Sequence, residues 1–120
     1  MNVFIWIVAS VLAALFFLAG LTKATQPKAK LAEKMPWVED FSDGTVKFIG
    51  VVEILGALGL ILPAATGIAP ILTVLAAIGL AITMLLAAVV HFRRGEKQMI
   101  VPNVVLLAMA ATVAVGAQAL

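Results

Sequence analysis

The chain contains no cysteine, so disulfide exchange, thiolate catalysis and Cys-ligated clusters are excluded from anything it does alone. Charge is scarce as well. Only 12% of its 120 residues are Asp, Glu, Lys or Arg, against roughly a quarter in ordinary soluble domains. The few basic residues flank apolar stretches and leave no nucleic-acid footprint. One histidine and one intramembrane glutamate are too few ligands for a metal site. No nucleophile–base pair or phosphate loop is visible. What fills the chain is apolar: 64% of residues are hydrophobic and the mean hydropathy is +1.20. This is the composition of a membrane protein, with room for four spans of about 20 residues and for no separate soluble domain.

The expected fold is all-α: an integral membrane four-helix bundle, antiparallel up-down, forming one domain over residues 1–120. Its spans are expected at about residues 2–24, 45–62, 70–91 and 102–120. The first lacks a basic leader and exceeds the ~7–15 apolar residues of a signal peptide, so it reads as a retained helix. Thr25 to Gly44 is the one polar segment of any length. Pro27 suits the first turn of a short helix there, with Gln26 or Thr25 as its cap. Leu31 and Met35 share one face of it, and Trp37 is the expected interfacial anchor. Ser42-Asp43-Gly44 offers a cap for the second span. Pro63 closes that span, Pro70 falls in the first turn of the third, and Pro102 opens the last.

All eight Lys and Arg residues lie in or beside the first and third connections. The positive-inside rule then puts those connections in the cytoplasm and both termini outside.

The second span carries one carboxylate, Glu53, near mid-membrane. Placing it there costs on the order of 3 kcal/mol even on permissive scales. Gly50, Glu53 and Ala57 recur at helical spacing with Gly56 and Gly59 close by, so the small-residue face should turn into the bundle and take Glu53 with it. Two roles fit: a binding or proton-exchange group, or a protonated acid donating a hydrogen bond as packing glue. Gly79, Thr83, Ala87 and His91 step along the third span toward the side where the second begins. A cytoplasm-facing vestibule lined by Lys23, Glu53, His91 and Asn103 is therefore expected, with a water or ligand linking Glu53 to His91. Each residue also has a simpler reading. His91 would sit at the interface beside Arg93 and Arg94, and Lys23 and Lys47 would snorkel unless a carboxylate is near. Asn103, on the first turn of its helix, would satisfy orphan backbone groups.

Several stretches together resemble one family. They are Gly20-x-x-Lys23, then Phe48-Ile-Gly-Val-Val-Glu53 running on to Leu62-Pro63, then Gly67-Ile-Ala-Pro70, then His91-Phe-Arg-Arg-Gly-Glu96, and finally Asn103. The chain resembles the DoxX-like family of small four-helix membrane proteins over nearly its whole length. The resemblance implies an inner-membrane protein and singles out Lys23, Gly50, Glu53, His91 and Asn103. The family takes its name from a subunit of an archaeal thiosulfate:quinone oxidoreductase. One bacterial relative is linked to a membrane thiol-oxidant defence complex, and an animal relative assists assembly of receptor channels. With no cysteine here, thiol chemistry would have to come from a partner.

Three functional expectations follow. The first is a non-catalytic accessory subunit that binds a quinone or similar amphiphile around Glu53 and His91 and serves a redox protein partner. The second is a proton-coupled small-molecule transporter, although small four-helix exporters carry their acid on the first helix rather than the second. The third is an assembly factor in which Glu53 and the glycines serve packing alone. The glycine-rich faces also permit a homo-oligomer.

Overall fold

The computed structural model describes residues 1–117. Five α-helices run in the order α1 (Val3–Thr25), α2 (Lys28–Ala32), α3 (Asp43–Thr66), α4 (Ile71–Arg93) and α5 (Lys97–Gly116), with a 3-10 turn at Pro36–Asp40 between α2 and α3. No strand occurs among the described residues. Helices α1, α3, α4 and α5 are each long and apolar enough to cross a membrane. At ~1.5 Å per residue their 20 to 24 residues span roughly 30–36 Å, enough for a hydrocarbon core ~30 Å thick.

Each long helix packs against its sequence neighbour, and α1 closes the ring against α5. The result is an antiparallel four-helix bundle. Leu12 and Phe16 of α1, Ala57 and Leu60 of α3, Ala77 and Leu80 of α4, and Ala110 and Val113 of α5 meet in its core. Alanine and glycine are common on these inner faces because helices in lipid gain from close packing rather than from hiding apolar surface. Many large side chains point outward: Phe4, Leu18, Leu55, Leu86 and Val101 are all exposed. That arrangement suits a lipid surround and marks an integral membrane protein.

Helix ends are set by local chemistry. Asn2 caps α1 by accepting from the Ile5 N–H, and Ser42 caps α3 by accepting from the Thr45 N–H. Gly67, in the left-handed conformation (φ 73°), ends α3. Two prolines behave differently from expectation. Pro63 does not close α3, which continues to Thr66, and Pro102 lies inside α5, which begins at Lys97. Each proline forfeits one backbone bond, to the carbonyl four residues back. Membrane helices tolerate that loss, and at Pro63 the residue four back is Gly59, which has no side chain to crowd the ring. The last three residues of the expected fourth span lie outside the described residues.

The first connection is folded onto the bundle. Thr25 belongs to α1, and Pro27 is itself the cap residue of α2 with no side-chain cap bond, so neither Thr25 nor Gln26 caps it. Leu31, Val38 and Val46 form a second small core, with Met35, Trp37 and Phe41 packed around it.

Candidate functional site

Lys23 and Glu53 meet inside the bundle. Lys23 Nζ donates to Glu53 Oε1 at 2.6 Å, with the glutamate 1% and the lysine 9% exposed. Helix crossing makes this possible. A Cβ on Gly20 would lie 2.5 Å from the Gly50 carbonyl oxygen, and one on Gly50 would lie 2.6 Å from the Gly20 carbonyl oxygen. Only glycine at both positions lets the α1 and α3 backbones approach this closely. Gly50 therefore acts by bringing two helices together, and it does not line the cavity described below.

Direction decides the rest. Side chains on a helix lean toward its N-terminus. Lys23, near the end of α1, therefore leans down into the bundle to Glu53 and does not snorkel outward, the exception foreseen for a lysine with a carboxylate near. Lys47, near the start of α3, leans the other way. Its ammonium lies 3.4 Å from the Gln26 carbonyl oxygen and 3.8 Å from Asp43 Oδ1.

Above this pair a cavity of about 700 Å³ lies between α3 and α4. Lys23, Glu53, His91 and Asn103 all line it, and Trp37 and Met35 of the first connection form part of its wall. The Lys23 ammonium sits 5.7 Å from the Trp37 ring centroid, within cation–π range. Trp37 packs edge-on to Phe41. A smaller space of about 120 Å³ touches Lys23, Glu53 and Asn103 from the side of α1 and α5.

Asn103 is the least satisfied of these groups. It is 8% exposed, and its Nδ2 is buried with no hydrogen-bond partner. Because α5 starts at Lys97, Asn103 stands in the second turn, not the first. The expectation that it would satisfy orphan backbone groups fails for that reason. A buried amide donor left unpaired costs about 1–3 kcal/mol.

His91 is 6% exposed and its Nδ1 lies 2.9 Å from Glu96 Oε1. Backbone geometry creates the pair. Gly95 is left-handed (φ 73°), its N–H bonds the Phe92 carbonyl, and the Glu96 N–H bonds the His91 carbonyl. These two bonds define a Schellman turn, which returns Glu96 over the residue that ends the buried face of α4. The hydrogen bond from His91, followed by the Arg94 guanidinium whose Nε lies 3.4 Å away, holds the Glu96 carboxyl below its ordinary range. Arg94 in turn donates to Asp40 Oδ2 at 2.6 Å, tying the third connection to the 3-10 turn that carries Trp37.

Sequence reasoning missed Glu96 as the partner of His91, and it missed the Arg94–Asp40 bond altogether. The Gly95-Glu96 dipeptide after a helix end was a usable signal for the first. Asp40 and Arg94 are 54 residues apart, and no local pattern links them. Among the described residues, no three His, Cys, Asp or Glu side chains come together as a metal site would require.

A ring of four membrane-spanning helices with a buried ion pair beneath a cavity defines the class: a small integral membrane protein of the helical-bundle type. The model of the DoxX-like family matches residues 7–113, nearly the whole chain. The chain belongs to the DoxX-like family. No curated protein and no solved structure matches it.

Proposed function

We propose that the protein is a membrane-embedded binding subunit that holds a quinone-like amphiphile and serves a redox partner in the inner membrane. The carrying observation is a cavity of about 700 Å³ whose lining includes Asn103, a residue whose buried Nδ2 has no hydrogen-bond partner. That volume lies in the usual range of small-molecule sites, ~300–1,000 Å³. The lining is mostly apolar, with a few convergent polar groups, as such sites are. A bound quinone would supply carbonyl acceptors and two-electron chemistry coupled to protons. Asn103 would donate to one such oxygen, Lys23 would orient it from beside Glu53, and the His91–Glu96 pair would stand nearer the mouth to pass protons. All eight basic residues fall at the cavity's end of the bundle, so the positive-inside rule supports a cytoplasm-facing mouth and outward termini.

Native mass spectrometry of mildly extracted protein tests the reading. Wild type is expected to retain a small amphiphile that Asn103→Leu loses. A bare protein, or a co-extracted protein with no small mass in either sample, would instead support the assembly role. In that role the Lys23–Glu53 pair and the Gly20–Gly50 crossing serve packing alone. The transporter reading requires Glu53 to release its proton in each cycle, and the lysine held against it weighs against that.

A further inference from the structure

We infer that the cavity loads sideways from the bilayer, through the gap between α3 and α4, and that its occupant is a single-tailed amphiphile with an uncharged, hydrogen-bond-accepting head. This inference rests on the binding reading above and adds the entry route and the charge of the head group.

The route follows from where the two helices touch. Toward the Gly67 turn α3 and α4 are in tight contact. A Cβ on Gly56 would lie 2.7 Å from Leu80 Cδ2, and one on Gly59 would lie 2.7 Å from Ala76 Cβ. No glycine eases their approach at the other end. There the cavity separates residues 48–53 of α3 from residues 83–93 of α4. Its walls include Phe48, 67% exposed, Leu86, 61% exposed, and Val89, 41% exposed. Residues with these exposures on membrane-spanning helices face lipid, so the cavity wall is continuous with the lipid-facing surface. On the aqueous side Trp37 and Met35 are part of the wall, and the Arg94–Asp40 bond pins the turn that bears Trp37. That side of the mouth is thus walled by a fixed segment, while the α3–α4 gap is walled by lipid-facing side chains.

The charge of the head follows from the buried groups. Lys23 and Glu53 cancel one another at 2.6 Å. An anionic head at this depth would bring an uncompensated charge into a low-dielectric site. Of the buried atoms without a partner, the one on a residue lining the cavity is a donor, Asn103 Nδ2, and it calls for an acceptor such as a carbonyl oxygen. A head that presents the acceptor, with one apolar tail leaving between Phe48 and Leu86, satisfies both.

The chain has two tryptophans, and Trp37 lines the cavity, so Trp6→Phe makes its fluorescence a local probe. In lipid nanodiscs this variant is titrated with a benzoquinone bearing a decyl chain, the same ring without the chain, and decanoate. The decyl quinone is expected to quench Trp37 saturably, and the tail-less ring at least tenfold more weakly. Decanoate should not displace it. Asn103→Leu should weaken the decyl quinone about tenfold, equivalent to ~1.4 kcal/mol. Ala87→Phe, which adds bulk on the α4 wall, should abolish binding of the tailed probe while sparing the tail-less ring, and it guards against misfolding of the Asn103 variant. Equal affinity for both rings, together with indifference to Ala87→Phe, would overturn lateral entry and leave the binding site standing. Displacement by decanoate at comparable concentration would overturn the uncharged head. No saturable quenching by any probe would overturn the binding reading, and this inference with it.

Discussion

At the residue scale, the ion pair dominates. Truncating one partner of a buried pair leaves the other charge uncompensated, typically destabilising by about 3–5 kcal/mol. Glu53→Gln and Lys23→Met are each expected to lower the melting temperature of detergent-solubilised protein markedly. Combining Lys23→Met with Glu53→Met should restore most of the loss, since a buried pair contributes little net stability over apolar groups that fill the space. Equal melting of both single variants and wild type would show that the pair does not hold in the folded protein. Glu96 gives a pH prediction. His91 and Arg94 hold its carboxyl below the ordinary value of 4.5, so folding favours the charged form. Its stabilisation is fully present above that value and is lost as pH falls through the depressed one. The groups facing it are His91 and Arg94, with Asp40 behind Arg94. Acid unfolding curves of wild type and Glu96→Gln should therefore differ near neutrality and converge at low pH. A constant difference across the range would assign the effect to packing.

At the element scale, the glycines separate into distinct roles. Gly50→Ala would push a methyl against the Gly20 carbonyl and the Ala24 backbone nitrogen. Backbone atoms cannot rotate aside, so α1 and α3 must part and the Lys23–Glu53 pair with them. A clear loss of thermal stability is expected. Gly79→Ala meets nothing within 4 Å and should leave stability unchanged or raise it by up to ~1 kcal/mol through helix propensity. Parallel melting curves of the two variants check this, and equal effects would contradict the close α1–α3 crossing. The same comparison shows what was legible. The spacing of Gly50, Glu53 and Ala57 sufficed to predict an inward face, and all three are buried. The crossing partner Gly20 carries no such signal, because only the meeting of two helices reveals which glycines face each other.

At the scale of the whole molecule, the arrangement of charge makes the remaining prediction. Cysteine introduced at Lys30 should react with a membrane-impermeant maleimide only after cells are opened, whereas cysteine at Thr66 should react in intact cells. The reverse pattern would overturn the proposed topology. The cavity occupies the basic end of the bundle, so the same labelling fixes the side to which its mouth is nearest.

The class, the four helices and the buried face of α3 can be read along the chain, because the bilayer imposes length and hydropathy rules that act on each segment alone. The chain's polar punctuation also pointed to Lys23, Glu53, His91 and Asn103, which do line one cavity. How these side chains pair follows from the packing of the helices. Lys23 turns inward to Glu53 because its helix runs toward the membrane surface, and Asn103 is left unpaired because α5 begins a turn earlier than its proline suggested. Those outcomes depend on helix direction, register and crossing, and such properties belong to pairs of elements rather than to any one stretch of chain.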